Sequence, residues 1–329
     1  EGAIVLAKSN LAELGVGVRY DSEMGGMCRN PFDMERNCGA SSSGSAASIS
    51  AGLALLSLGT DTDGSIIGPA SFNSLNAIRS PVGAMNMSGI VPLFDYQDTV
   101  GPLTKYVDDM VLAYSVMTNE SALYESYVRD RRNGTAMKSV RVGYLASVFE
   151  NFTINTILGV YDYEFDDEVL ESCYSFINKL KRATKVHEVP RNQTHFQKFV
   201  AAIEPTVLAR LKCQDGCLKK AWNRYFGNRN TFEADAPYHS FGDVLDGPLL
   251  SDFWKSFIAD SNVTDAEKQC YDDCVDYKLT RRNFTQIIDE WFDLADSDVI
   301  FYPSYNKLPS KLDFKEQHLS LIIVASYTG

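Results

Sequence analysis

Two serine-bearing turns stand close together in a chain of 329 residues. Gly39-Ala40-Ser41-Ser42-Ser43-Gly44 comes first, and Gly59-Thr60-Asp61-Thr62-Asp63-Gly64-Ser65 follows. Turns this rich in glycine and hydroxyl side chains present backbone N–H groups and hydroxyls to a common point, a geometry that steadies a developing anion. A serine hydroxyl is a poor nucleophile at neutral pH. Chemistry there needs a base to take its proton and a route that returns a proton to the leaving group.

Such a composition also describes a flexible linker. The intervening segment argues against that reading, because Ala46 to Leu58 is almost entirely small or apolar, which a solvated linker would not carry. The pattern predicts a buried helix running into a strand. Other nucleophile systems find little support: His187, His195, His239 and His318 are scattered outside any motif, so no Ser-His-Asp arrangement is indicated. Neither a phosphate loop nor a metal box occurs in the sequence, and no cofactor or metal is expected.

With these residues in view, the chain resembles the amidase signature family, whose members pair a Gly-Gly-Ser-Ser-Gly-Gly-Ser loop with a Gly-Thr-Asp-x-Gly-Gly-Ser turn. The Ser41 to Ala46 and Thr62 to Ser65 forms look most like the peptide-amidase and plant-amidase branch. Gly2 to Leu11 is similar to the family's GAI(I/L)LGKTN segment, and Arg29-Asn30-Pro31-Phe32-Asp33 to its RNPYD loop. Val91-Pro92, Gln97 to Leu103, Val140 to Tyr144 and Asp298 to Pro303 continue the likeness. It thins beyond Asn192.

The resemblance implies an α/β amidase signature fold, a large mixed β-sheet core covered by helices on both sides. It implies one amidase domain over 1–329, incomplete at both ends, with 196–291 a helical, variable region that shapes the substrate channel. Ser65 then matches the nucleophile and Ser41 the bridging serine of a Ser-cisSer-Lys relay, with a cis bond at Ala40-Ser41. Thr62, Asp63 and Gly64 would supply the oxyanion hole. Lys8 stands in the GKTN-like element, which is not the family's lysine motif; that motif is expected ahead of Glu1, and a further strand beyond Gly329. Two departures stand out. Ile67 occupies the place of an arginine that helps hold the nucleophile turn in many members, and Ala40 replaces a glycine beside the cis bond.

The bulk of the chain fits a large folded protein, with 45% hydrophobic and 12% aromatic residues. A net charge of -12 argues against a nucleic-acid partner, whose phosphates an acidic surface repels. No stretch reaches the length of a membrane span. Seven triplets fit the N-glycosylation pattern, at Asn86, Asn119, Asn133, Asn151, Asn192, Asn262 and Asn283, and point to a eukaryotic secreted or secretory-lumen protein.

The cysteines agree with that compartment. Cys213 with Cys217 and Cys270 with Cys274 each put two sulfurs on one helix face, the spacing that staples two antiparallel helices. Pairing Cys213 with Cys274 and Cys217 with Cys270 is expected; a zinc site fits this wide spacing less well. Cys28 and Cys38 are candidates for a third bridge, and Cys173 for a buried free thiol. Thr264-Asp265-Ala266-Glu267 reads as a capping box at the start of the second stapled helix.

Elsewhere the periodicities predict helices over Asp108–Met117 and Asp166–Ala183, and strands over Arg141–Leu145 and Lys185–Val189. The aromatic set Trp222, Tyr225, Phe226, Phe253, Trp254 and Phe257 reads as core more readily than as an acyl channel. The expected activity is hydrolysis of a carboxamide, either a peptide C-terminal amide or a fatty-acid amide, through a Ser65 acyl-enzyme. The partner is a small-molecule or peptide amide substrate, and a homodimer is left open. The alternative is a catalytically inactive, amidase-like extracellular structural or binding glycoprotein.

Overall fold

The computed structural model describes residues 2–16, 21–134, 137–156, 159–189, 193–227, 238–248, 250–252, 255 and 267–312. Two short antiparallel ribbons lead in, β1 (Asp21–Ser22) with β2 (Gly26–Met27) and β3 (Arg29–Asn30) with β4 (Asp33–Asn37). The helix α1 (Ser43–Ser50) follows, then β5 (Leu56–Asp61), α2 (Ile67–Phe72), β6 (Asn76–Ala77) and β7 (Thr99–Thr104). These strands form an antiparallel sheet in the order β5-β7-β6, with Asp61 opposite Thr99. The second serine turn therefore begins where β5 leaves the sheet.

Helices α3 (Val107–Thr118) and α4 (Ser121–Asn133) lead to β8 (Arg141–Leu145). A hairpin of β9 (Phe152–Thr156) and β10 (Gly159–Tyr163) precedes α5 (Asp167–Ala183) and β11 (Lys185–Val189). With β12 (Val299–Phe301), β8 and β11 make a parallel sheet in the order β11-β8-β12. Asp166 stands at the N-cap position of α5 with its carboxylate turned to the Leu308 N–H, and acidic residues in the first turn with Lys181 and Arg182 in the last match the helix dipole. The expected mixed sheet is thus present as one antiparallel and one parallel piece, interleaved with helices.

Between β11 and β12 run two long helices, α6 (Gln193–Gly227) and α8 (Glu267–Ala295), with the short α7 (Phe241–Asp246) after α6. Two disulfides cross-link the long pair, Cys213 to Cys274 and Cys217 to Cys270. The sulfurs of Cys213, Cys217 and Cys274 cluster tightly, but all three are spent in these bonds and offer no thiolate to a metal. Aromatic side chains fill the core beneath: Phe199 of α6 packs 4.7 Å from Trp291 and 5.5 Å from Phe284 of α8, ring centre to ring centre. Of the expected capping box only Glu267 is among the described residues.

The buried segment expected from Ala46 to Leu58 is buried only in its helix. Ser43, Gly44, Ser45, Ala46 and Ile49 of α1 are inside, whereas Leu53 and Leu55 are 73% and 84% exposed and Leu56 and Leu58 are also exposed. Backbone proximity explains the inversion. The carbonyl oxygen of Asn10 accepts from the Gly44 N–H at 2.9 Å, and a Cβ on Gly44 would sit 2.4 Å from that oxygen. Small residues go where chains touch, and the leucines are left on the loop and the edge strand.

No helix among the described residues is long and apolar enough to cross a membrane. The expected third disulfide is not formed. Cys28 and Cys38 are free thiols, the Cys38 thiol donating at 3.2 Å to the Cys28 carbonyl. That bond points the Cys38 sulfur at backbone. Interaction with the neighbouring Cys38 thiol holds the Cys28 thiol below its ordinary pKa, and interaction with the Cys28 thiol, with burial, pushes Cys38 up. Cys173 is also free, half-buried against the aromatic core.

Candidate active site

The first serine loop is fixed by its neighbours on both sides. Asn37 accepts from the Gly39 N–H at 2.9 Å, and the Cys38 carbonyl accepts from the Asn73 side chain at 2.8 Å. The Ala40-Ser41 peptide bond is cis. Ser41 is buried, and its carbonyl accepts from the Ala12 N–H at 2.9 Å. A small cavity of about 30 Å³ opens on it, lined also by Leu14, Gly15, Thr62 and Met87.

One backbone bond ties the two serine turns together: the Ser42 N–H donates to the Ser65 carbonyl at 3.2 Å. The Ser42 hydroxyl adds contacts of 3.2 Å to both the N–H and the carbonyl of Thr60. Ser65 itself is half-buried, and among the described residues no side chain hydrogen-bonds its hydroxyl. Lys8 is exposed in the extended stretch ahead of Asn10. His187 lies on β11, His195 on α6 beside Glu290 and His239 ahead of α7; His318 falls outside the described residues.

The second turn is held by a buried carboxylate. Asp61, 1% exposed, accepts from the Gly64 and Ile66 N–H groups, each at 2.7 Å. It also takes the Arg79 guanidinium at 3.1 Å, the two side chains being 0% and 4% exposed. Arg79 reaches on to the Gln97 carbonyl at 2.8 Å. Ile67 leaves no arginine at its own position, and Arg79 supplies a guanidinium to this turn from elsewhere in the chain. The Gly64 N–H, expected to face an oxyanion, bonds Asp61 here. Gly64 takes φ +98°, a backbone region that favours glycine, and this brings its N–H round to the carboxylate. Among the described residues nothing accepts from the N–H of Thr62 or Asp63.

Side chains from the segment ahead of β7 and from α6 grip the turn, with α8 supporting them. The Thr62 hydroxyl donates to Asp98 at 2.6 Å, whose other oxygen accepts the Leu93 and Phe94 N–H groups at 2.7 and 2.8 Å. Burial pushes the Asp98 carboxyl up, against those three donors. The Gln97 amide donates to the Thr62 carbonyl at 2.8 Å and to Asp63 at 2.5 Å, and accepts from the Tyr277 hydroxyl at 2.6 Å. Arg210 of α6 pairs with the other Asp63 oxygen. The Asp63 side chain keeps 33% of its surface open, yet the dense protein round its carboxyl raises its pKa more than Arg210 lowers it. Desolvation also pushes the Tyr277 phenol up to about 12, so it stays a neutral donor.

A model of the family described as Amidase matches residues 1–328. The chain belongs to the amidase family. Among relatives, a glutamyl-tRNA(Gln) amidotransferase subunit from Sulfolobus acidocaldarius is 31% identical over 158 residues, 46% of this chain and 33% of that protein. Its counterpart from Prochlorococcus marinus subsp. pastoris is 29% identical over 258 residues, 76% of this chain and 51% of that one. The chain thus spans a third to a half of these relatives. The native peptide amidase of Stenotrophomonas maltophilia superposes with a TM-score of 0.67 at 22% identity, covering 99% of this chain and 66% of that one. The corresponding glutamyl-tRNA(Gln) amidotransferase subunit of Thermotoga maritima gives 0.62 at 20%, covering 99% and 64%. These two structures share the amidase fold with it.

Within this amidase-family chain, then, Ser41, Ser65, Thr62, Asp63 and Gly64 lie on two turns in backbone contact. The sequence reading missed Arg79, Gln97, Arg210 and Tyr277 as residues that hold the turn. Gln97 opens the Gln97 to Leu103 motif, where it had no role; Arg210 and Tyr277 each sit three residues from a stapling cysteine, the one signal available for them. Asn86, Asn119, Asn133, Asn151 and Asn283 are all exposed, while Asn192 and Asn262 fall outside the described residues. Of the aromatic set, Trp222 is buried with its indole N–H on the Pro92 carbonyl at 2.6 Å, and Tyr225 lines a groove of about 320 Å³. Phe253, Trp254 and Phe257 lie outside the described residues.

Proposed function

We propose that this chain carries the nucleophile turn of a secreted, glycosylated amidase that cleaves a carboxamide, either a peptide C-terminal amide or a fatty-acid amide. The observation that carries the reading is the Ser42 N–H to Ser65 carbonyl bond, which brings the turn bearing Ser65 against the loop bearing Ser41. Ser65 Oγ attacks the amide carbon, and its proton passes to Ser41 and on to the general base. The carbonyl oxygen becomes an oxyanion facing the Thr62 and Asp63 N–H groups, each such donor contributing about 3 kcal/mol to the transition state. Collapse breaks the C–N bond as the amine takes up the proton, leaving an ester on Ser65. Water, deprotonated along the same route, then hydrolyses the ester and frees Ser65.

Exposure of the five described sequon asparagines supports the secretory assignment, as do two disulfides of a kind that persist outside the cytosol. The groove beside Ser41's cavity shares Met87, Ile90 and Asp98 with it and offers room for the substrate's remainder. The test is fluorophosphonate labelling of the secreted protein. Wild type should label, Ser65→Ala should not, and Ser41→Ala should label slowly. A folded wild type that stays unlabelled would move the reading to a non-catalytic glycoprotein.

A further inference from the structure

We propose that the disulfide-stapled pair α6 and α8 is a positioning device for the catalytic turn, acting through Arg210 and Tyr277 to aim the Asp63 N–H at the substrate oxyanion. This rests on the catalytic reading above and adds two residues that its relay does not use. The key is one peptide group. In the link between Thr62 and Asp63, the carbonyl and the N–H point in opposite directions, so whatever holds the carbonyl also aims the N–H. Gln97 holds that carbonyl at 2.8 Å through the amide nitrogen that also reaches Asp63 at 2.5 Å. An amide can flip and present oxygen instead, which would repel both acceptors. Tyr277 supports the orientation shown by donating its hydroxyl to the Gln97 oxygen at 2.6 Å.

Arg210 closes the clamp from the other side. Its guanidinium pairs with the second Asp63 oxygen and also bonds Gln214 one turn along α6. Arg210 and Tyr277 come from different helices, 67 residues apart in number (277 minus 210), and a clamp built on two helices works only if they keep their spacing. The Cys213–Cys274 bond supplies that: Cys213 lies one turn beyond Arg210, and Cys274 one turn before Tyr277. Cys217–Cys270 repeats the link a turn further along. The staple therefore sits next to Arg210, which reaches the turn, and to Tyr277, which reaches it through Gln97.

The test uses the full chain with three variants, Tyr277→Phe, Arg210→Ala and Arg210→Lys, each checked for intact disulfides by peptide mapping. Two readouts are followed. Hydrogen exchange across residues 60–66 should quicken in Tyr277→Phe and Arg210→Ala and recover in Arg210→Lys, while exchange in β8 stays unchanged. Fluorophosphonate labelling of Ser65 should slow by about ten-fold or more in the first two, a fraction of the hundred-fold loss for deleting an oxyanion donor. Unchanged exchange at 60–66 in both Tyr277→Phe and Arg210→Ala overturns the proposal, whatever the labelling shows. An unlabelled wild type whose turn still loosens in these variants would refute the catalytic reading and the aiming role with it.

Discussion

Arg79 and Asp61 form a buried ion pair, 3.1 Å apart, under the turn that presents Ser65. Asp61 spends its remaining capacity on two backbone N–H groups, and Arg79 bonds the Gln97 carbonyl as well. Neither charge has water to fall back on.

Removing one partner should therefore be severe. Arg79→Leu leaves Asp61 buried and unpaired, and a loss of about 3–5 kcal/mol is expected. Denaturant titration measures it, with Ser65 labelling as the functional companion. A loss below about 1 kcal/mol would mean that the pair is open to solvent, against its burial.

The two disulfides should matter for stability as well as for position. They close sequence separations of 61 and 53 residues. Replacing Cys213 and Cys274 together by serine is expected to lower unfolding free energy by about 2–4 kcal/mol. Comparing denaturation midpoints for this variant and for the Cys217 and Cys270 pair would show whether each bond contributes separately. Wild-type midpoints in both would contradict a stapling role.

Acid should weaken one seam of the parallel sheet. Arg141 at the start of β8 bonds both oxygens of Asp298 just ahead of β12, at 2.7 and 3.2 Å, and its N–H adds a third bond at 2.8 Å. These contacts lower the Asp298 carboxyl from 3.8 to about 2. A depressed folded pKa means that the contribution is full above about pH 4 and is lost as pH falls through 2. Melting wild type and Asp298→Asn across that window should give a gap near neutrality that has mostly narrowed by pH 2 and closes below it. A gap that persists in acid would place the effect elsewhere.

The exposed sequons make a prediction about mass. Protein expressed through a secretory pathway should carry glycans at Asn86, Asn119, Asn133, Asn151 and Asn283, and enzymatic removal of N-glycans should leave aspartate at each occupied site. Intact asparagine at all five after that treatment would sink the secreted assignment.

How far the sequence could be read depended on the range of the contacts. Arg141–Leu145, Lys185–Val189 and the helix ending at Ala183 were legible because alternation and helical period are local signals. The stapled helices were legible too, since four cysteines at helical spacing state their own geometry. Arg210 and Tyr277 were not: their partners Asp63 and Gln97 lie 147 and 180 residues away, and no local pattern records such a contact. The leucines from Leu53 to Leu58 misled for the opposite reason. Apolar composition says that a side chain would gain from burial, but here the room inside was taken by backbone.

Gly44 sets a limit on how this chain can drift. A run of serines, alanines and glycines invites the assumption that one small residue will do as well as another. At Gly44 even an alanine methyl would meet the Asn10 carbonyl oxygen at 2.4 Å and force the extended stretch before it off α1. That stretch also delivers the Ala12 N–H to Ser41, so a single methyl group placed on the far side of the loop would be felt on the floor of the cleft. A variant library that treats Ser41 to Ser45 as interchangeable filler would lose its folded members at this position first.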